Sequence, residues 1–402
     1  MTSQSATDLS RRFTHDTRGV IAVLTALMLI PIIGAVGLAV HYAEAVSLRS
    51  RVQAVLDQSV LAAGRTLVVT QNKDTALEAL GRYFEENLGN VEGVRLTKQK
   101  ADKGQFRVEA SAGGTVATPL LGILGLGAFD VSANSAAAID EVELEVALTL
   151  DLSSSMTGSR FTDLKAAATD LVEIIDPTRD KPFRRRIALA PFASAVNVGP
   201  YFDDVTDKSG ANTCVAERHG NEMLTDAKPR SGAYFEPHIN DSEWPCIASA
   251  ISPLSSDRDG VLQAVADLRL SQGTAGHLGT AWGWYMLSPE FDGIFKGDAK
   301  PGKYGNKKIS KALVIMTDGE FYKDYVGTMH SEKQTTTLCA NMKAKGVAVY
   351  TVGFKMDDDS AIQMLAACAS SPTHAYLAED SNALRQSFRD IAEKLIPLKL
   401  TD

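Results

Sequence analysis

The sequence is poor in the residues that soft-metal and redox chemistry need. It has four cysteines and seven histidines in 402 residues, with no Cys-x-x-Cys pair and no His-Glu-x-x-His, which argues against a zinc or dithiol centre. It also lacks the Gly-x-Ser-x-Gly elbow of a serine hydrolase and the glycine-lysine loop that cradles phosphate. Basic charge is not in excess: 41 Lys and Arg against 49 Asp and Glu leave a net charge of -8. A nucleic-acid partner needs a basic footprint, so none is expected. The run Arg184-Arg185-Arg186 reads as a solvated lip before a buried strand.

One long apolar run is present. Val20 to Val40 holds no charged residue, and roughly 20 apolar residues span a bilayer as a helix. Pro31 inside it is tolerated better in a membrane helix than in a soluble one. Arg11, Arg12 and Arg18 precede the run, and Arg49 and Arg51 follow it. The bias places the N-terminus in the cytoplasm. A cleaved signal peptide is the rival reading, with Ala43-Glu44-Ala45 as its cleavage site. The run exceeds the ~7–15 apolar residues of a signal core, which favours a retained anchor over residues 19–41, after a cytoplasmic stretch at 1–18. All four cysteines follow this anchor, at 214, 246, 339 and 368. An even count on the exported side suggests two disulfides. The simplest pairing is Cys214–Cys246 with Cys339–Cys368, among three possible.

Helical periodicity continues beyond the anchor. Leu48, Val52, Val55, Ser59 and Ala62 form one stripe, widened by Leu56 and Ala63. A helix over 75–87 and strands near 94–97, 106–110 and 129–137 complete a small α+β module at 42–140. Gly122, Gly125 and Gly127 read as a turn, without the strand and helix of a dinucleotide fingerprint. From Glu143 onward strands alternate with helices. The strands fall at 144–150, 186–196, 312–316, 347–354 and 374–377, and the helices at 158–175, 260–268, 277–287, 332–345, 360–368 and 381–395. This pattern predicts a doubly wound, mostly parallel α/β sheet. The polar stretch at about 199–256 interrupts it. It holds Cys214 and Cys246 and is read as an insertion tied down by them.

Three segments place oxygen-bearing side chains near the carboxyl ends of strands, where such sheets bind ligands. Asp151-Leu-Ser153-Ser-Ser155 follows the first strand, Thr274 lies in Gly273-Thr-Ala-Gly276 before a helix, and Thr317-Asp318-Gly319 follows the strand at 312–316. Alternate spacing can aim Asp151, Ser153 and Ser155 at one point, and Gly319 is read as permitting a tight turn. Carboxylates and hydroxyls suit a hard cation, Mg2+ or else Mn2+ or Ca2+. Two carboxylates offset its charge, and neutral hydroxyls leave it able to accept a further anion. No general base stands ready to activate water, so the expectation is binding without catalysis. The competing reading is a serine cluster that caps the first helix. Two further residues are weighed here. His277 close to Thr274 is read as structural, and at least one of Trp282 and Trp284 as core.

Asp-x-Ser-x-Ser, a distant Thr and a later Thr-Asp-Gly resemble the metal-ion-dependent adhesion site of the von Willebrand factor A family, over about residues 143–396. The resemblance implies a Rossmann-like fold and metal contacts from Ser153, Ser155 and Thr274, with Asp151 and Asp318 reaching the metal directly or through water. The Arg-rich start, Arg18-Gly19, the single anchor and Gln53-Ala-Val-Leu-Asp57 resemble TadG-like proteins of bacterial Flp/Tad pilus systems. So do the stretch Ala281-Trp-Gly-Trp-Tyr-Met-Leu-Ser-Pro289 and Cys368-Ala-Ser. One departure stands out. Leu24 occupies the position where prepilin-type processing after Gly19 wants a glutamate.

These readings combine into one expectation. The chain is a single-pass inner-membrane protein whose C-terminal domain is periplasmic or surface-exposed. It binds a protein ligand that offers a carboxylate to the metal, among other Tad pilus components, in pilus assembly or adhesion. The alternative is an envelope scaffold in which the A domain needs no metal.

Overall fold

The computed structural model describes residues 18–401, except 90, 118–127, 140–141, 177–183, 209–212, 239–241, 326, 328 and 397. The N-terminal stretch before Arg18 and the glycine turn at 122–127 therefore lie outside the described residues. The chain divides into two compact units. One comprises residues 1–139 with 398–402, the other 140–397.

In the first unit a single helix, α1 (Arg18–Thr70), runs without a break through Pro31. It is the one helix among the described residues long and apolar enough to cross a membrane. Its N-terminal part exposes Leu27, Met28, Ile32, Val36 and Val40. The apolar stripe read from the sequence then takes over. Val52, Val55, Leu56, Ser59 and Ala63 are buried, and the Ser59 hydroxyl donates to the Val55 carbonyl of its own helix at 2.6 Å. That bond removes the cost of a polar interruption in the stripe. Gln53 Nε2 donates to Asp57 Oδ1 at 2.8 Å and to the Asn134 carbonyl at 2.9 Å. The Gln-Ala-x-x-Asp motif thus fastens the helix to a strand.

Helix α2 (Lys73–Leu88) is capped by Asn72, whose side chain accepts from the N–H groups of Asp74 and Thr75. Strands β1 (Val94–Asp102), β2 (Arg107–Ala117) and β3 (Ala128–Ile139) form an antiparallel sheet. Its fourth strand is the chain's last, Leu398–Thr401, paired antiparallel to β3 from Leu398 opposite Ile139 to Thr401 opposite Ala136. The sequence reading had no strand there.

The second unit is built on a six-stranded sheet. Its strands are β4 (Glu143–Asp151), β5 (Arg185–Phe192), β9 (Ser252–Ser255), β10 (Ile309–Thr317), β11 (Ala348–Phe354) and β12 (Ala375–Ala378), in the order β12-β11-β10-β4-β5-β9. All neighbours are parallel except β9, which runs antiparallel to β5 at the edge. The central strands are buried on both faces and are mostly apolar. The flanking helices are α3 (Ser159–Ile175), α4 (Arg258–Ala266), α5 (Gly276–Tyr285), α6 (Ser331–Ala344), α7 (Asp359–Cys368) and α8 (Ser381–Leu395). They pack in two groups: α3 lies against α4 and α8, whereas α6 lies against α5 and α7. Helix α5 is buried along its whole length, including both Trp282 and Trp284.

Two features of this unit differ from the sequence reading. Arg185 and Arg186 are buried, and only Arg184 is solvated. Registry explains Arg186. Glu145 of β4 lies opposite Arg186 on one side and Lys311 of β10 on the other, and it forms ion pairs with both. The Lys311 ammonium also donates to the Leu287 carbonyl at 2.8 Å, and the Gly302 N–H donates to Glu145 at 2.9 Å. The pairing that permits burial is set by strand order and is invisible in a run of three arginines.

The polar stretch is also more than a tied loop. With β6 (Val196–Asn197) just before it, the stretch forms a second, antiparallel sheet through β7 (Cys214–Arg218) and β8 (Phe235–Pro237), in the order β6-β7-β8. Phe202, Val205, Val215 and Phe235 enter the main core, and Phe235 packs on Trp282 with ring centroids 4.9 Å apart. Arg218 is buried above the Phe235 ring, 4.5 Å from its centroid, and donates to the carbonyls of Ala227 and Thr225. Disulfides join Cys214 to Cys246 and Cys339 to Cys368.

Candidate metal centre

The site lies at the carboxyl ends of β4 and β10, where the strand order reverses. Leu150 is opposite Met316 in the parallel register, so the next residues, Asp151 and Thr317, stand side by side. The Thr317 hydroxyl donates to Asp151 Oδ2 at 2.6 Å, and the Ser153 N–H donates to Asp151 Oδ1 at 2.9 Å. The Ser153 and Ser155 hydroxyls are 2.8 Å apart, and Ser155 Oγ donates to Asp318 Oδ1 at 2.7 Å. Four of the five expected ligands therefore form one hydrogen-bonded cluster. Asp151, Ser153 and Asp318 are buried, whereas Ser155 is exposed and opens the cluster to solvent.

Thr274 is also buried. Its loop is fastened by backbone bonds on both sides. The Ser271 N–H donates to the Leu152 carbonyl at 2.8 Å, and the Ala275 N–H to the Ala193 carbonyl at 2.7 Å. The Thr274 carbonyl itself accepts from the Lys323 N–H at 3.2 Å. The first of these bonds ties the loop to the Asp151 loop, and the last ties it to the segment after Asp318. Two glycines shape the loop. Gly273 has φ +76°, and a Cβ at Gly276 would lie 2.2 Å from the Phe321 ring.

One sequence expectation needs correction, and the competing reading of the serines as a cap fails. Gly319 has open space where a Cβ would be and is not among the glycines with positive φ, so its turn does not depend on glycine. The Thr317 side chain shapes it instead, accepting from the Gly319 N–H at 3.2 Å. The serines do not cap α3, whose N-cap is Gly158 without a side-chain bond. Their hydroxyls face each other and Asp318.

Electrostatics fit a cation. Burial, and next the charge of Asp318, push the Asp151 carboxyl up to about 7, against the hydrogen bonds from Thr317 and Ser153 that hold it down. Two carboxylates enclosed this closely disfavour joint ionisation unless positive charge is nearby. Among the described residues no group of three or more His, Cys, Asp or Glu side chains is placed to hold a metal. A metal here would rest on two carboxylates plus neutral hydroxyls, a set of hard oxygens that matches magnesium better than a soft metal.

Sequence reasoning missed two participants. Thr317 was read as part of a turn, and its bond to Asp151 follows only from registry. Arg160, second residue of α3, donates from Nη1 to Asp318 Oδ2 at 2.6 Å. Its nearness to the Asp151 loop in sequence was the available signal. His277 lies outside the cluster's hydrogen bonds. It is buried between Ser331 Oγ at 2.7 Å and Glu217 Oε1 at 2.8 Å.

Comparison with protein-family models finds a von Willebrand factor type A domain over residues 248–390 and a putative Flp pilus-assembly TadE/G-like segment over residues 19–66. The first match contains Thr274 and Asp318 and begins after the Asp151 loop. A search of curated proteins found no match. Among solved structures, the chain is similar to the pilus adhesin SpaC of Lactobacillus rhamnosus GG, at 12% identity and TM-score 0.40, covering 77% of this chain and 35% of that one. It is similar to the vWF domain of the type V pili tip protein Mfa5 of Porphyromonas gingivalis, at 13% identity and TM-score 0.39, covering 63% and 94%. It is also similar to proximal thread matrix protein 1 of the mussel byssus, solved with a zinc-occupied MIDAS motif, at 12% identity and TM-score 0.36, covering 66% and 48%. The chain spans about half the length of the mussel protein.

Proposed function

We propose that this chain, which carries a von Willebrand factor type A domain behind a TadE/G-like segment, is a membrane-anchored envelope protein that binds a partner through a divalent metal, in Flp/Tad pilus assembly or adhesion. The observation that carries this reading is the cluster at the ends of β4 and β10. Asp151, Ser153, Ser155 and Asp318 meet there, and Ser155 opens it to solvent. With Thr274 they would hold Mg2+, or Mn2+ or Ca2+ in its place. When bound, the ion supplies a positive acceptor for a carboxylate of the protein ligand. The chain's own residues do the rest. Thr317 and the Ser153 N–H orient Asp151, Ser155 links Ser153 to Asp318, and the backbone bonds around Thr274 fix its loop. On this reading the site binds its partner without catalysis.

The long apolar helix supports an inner-membrane anchor. The N-terminus is then cytoplasmic and the A domain periplasmic or surface-exposed, a placement that suits two disulfides. A second reading is favoured by one observation, the Arg160–Asp318 ion pair. It neutralises a site carboxylate without metal, as a scaffold that needs none would. A pull-down from the cell envelope separates the two. Full-length chain in detergent, with Mg2+, is compared with chelator and with Asp151→Ala. The adhesive reading expects partners retained only by the metal-loaded wild type, and pilus output lost in the variant. Identical partners and unchanged pili in all arms would leave the scaffold reading standing.

A further inference from the structure

Arg160 occupies a place that helix electrostatics disfavour. It is the second residue of α3, and no acidic residue lies in that helix's first turn. The N-terminus of a helix carries partial positive charge, so a cation there is destabilising without an anion beside it. The anion is Asp318, whose side chain is completely buried while that of Arg160 keeps 31% of its exposure. Arg160 therefore reaches inward from the surface to a carboxylate of the cluster, and its guanidinium has a path back to solvent.

Each carboxylate oxygen of the cluster accepts one hydrogen bond in this arrangement. Asp151 accepts from Thr317 and the Ser153 N–H, and Asp318 accepts from Ser155 and Arg160. Ser153, Ser155 and Thr317 carry neutral hydroxyls that can turn to offer lone pairs to a metal. Arg160 cannot, because a guanidinium has no acceptor and does not lose its proton. Of the groups bonded to the two carboxylates, it alone repels a cation.

Resting on the metal reading above, we propose that Arg160 is an internal counter-cation that competes with the divalent metal for Asp318. It holds the cluster together when the metal is absent and must release Asp318 when the metal enters. The chain trades metal affinity for a site that does not fall apart when empty. Metal occupancy then depends on the cation supply around the exported domain. Any anion that draws Arg160 away from Asp318 favours metal binding, and by linkage the metal favours that anion equally.

The test is a Mn2+ titration followed by electron paramagnetic resonance, on full-length chain in detergent, with Mg2+ as competitor. Wild type is compared with Arg160→Met, which keeps much of the apolar stem without the charge, with Arg160→Lys and with Asp151→Ala. Arg160→Met is expected to bind Mn2+ about three- to fivefold more tightly than wild type, roughly what loss of one competing, partly exposed ion pair allows. Arg160→Lys should stay near wild type, and Asp151→Ala should lose saturable binding. Equal or weaker binding by Arg160→Met, while wild type binds and Asp151→Ala does not, overturns this inference alone. Absence of saturable binding in both wild type and Arg160→Met overturns the metal reading and this inference with it. Circular dichroism confirms that each variant is folded, and Arg160→Gln replaces Arg160→Met if that variant is not.

Discussion

The Thr317 hydroxyl lies 2.6 Å from Asp151 Oδ2, and this bond joins the ends of two strands that are 166 residues apart in the chain. Both residues are completely buried. The bond orients the carboxylate that two neighbouring loops close over. Thr317→Val keeps the shape of the side chain and leaves Asp151 Oδ2 without its donor. A hydrogen bond to a charged group contributes about 1.5–3 kcal/mol, and a loss of that size is expected in urea unfolding of the metal-free chain. Thr317→Ser should recover most of it.

The Glu145 network should behave as a buried charge cluster. Removing one member strands the others in the core, at about 3–5 kcal/mol. Glu145→Ala is therefore expected to lose stability by that amount in denaturant titrations, with metal binding retained in the fraction that folds. Replacing Glu145, Arg186 and Lys311 together by Leu, Met and Leu should restore much of the loss, because no unpaired charge then remains.

Each disulfide closes a loop of about 30 residues, a constraint of roughly 3–4 kcal/mol in the chain-entropy model. Thiol titration of exported, unreduced protein should find no free cysteine. Cys214→Ala with Cys246→Ala is expected to raise protease cleavage within 199–256 first. Cys339→Ala with Cys368→Ala should instead loosen the packing of α6 on α7.

Acid should weaken the link from β7 to α5. Burial raises the Glu217 carboxyl, but the His277 hydrogen bond and charge and the Tyr325 N–H outweigh it, so its value falls below the ordinary one. A depressed carboxylate contributes stability that is present above its unfolded value, about 4.3. That contribution is lost as pH falls through the lower folded value. The stability difference between wild type and Glu217→Gln should therefore shrink as pH falls below about 4.3. Asp151 acts in the opposite sense in the metal-free chain. Its raised value makes stability fall as pH climbs from its ordinary range toward 7. The comparison of variants at each pH removes that contribution, since both carry Asp151.

The parallel strands were legible because burial on both faces writes a mostly apolar segment, continuous in Ala312–Met316 and interrupted in Leu144–Leu150 only by Glu145 and Thr149. Helix α8 was legible down to its ends, since Asp380 caps it and one face is apolar. Asp151, Ser153, Ser155 and Asp318 could be picked out because Asp151 ends β4 and opens a run of oxygen side chains, and Asp318 directly follows the end of β10. What stayed hidden depends on partners far away in the chain. Arg186 looked solvated because its partners Glu145 and Lys311 meet it only across the sheet. The strands β6 to β8 are too short to show a period, and β7 is buried only because the main core receives it. Thr317 and Arg160 act through Asp151 and Asp318, contacts that a local pattern does not specify beyond Arg160's nearness to the Asp151 loop. The strand at Leu398–Thr401 has no apolar alternation beyond its two leucines, and its pairing with β3 crosses the whole sequence.

The most direct measurement is the stoichiometry of divalent metal on the full-length chain. Equilibrium dialysis against Mn2+, with Mg2+ as competitor, should give one ion per chain for wild type. Asp151→Ala and Asp318→Ala should give none, and circular dichroism should report both as folded. One ion per chain in all three proteins would contradict the assignment of these carboxylates as ligands, and no ion on the wild type would contradict the metal centre altogether.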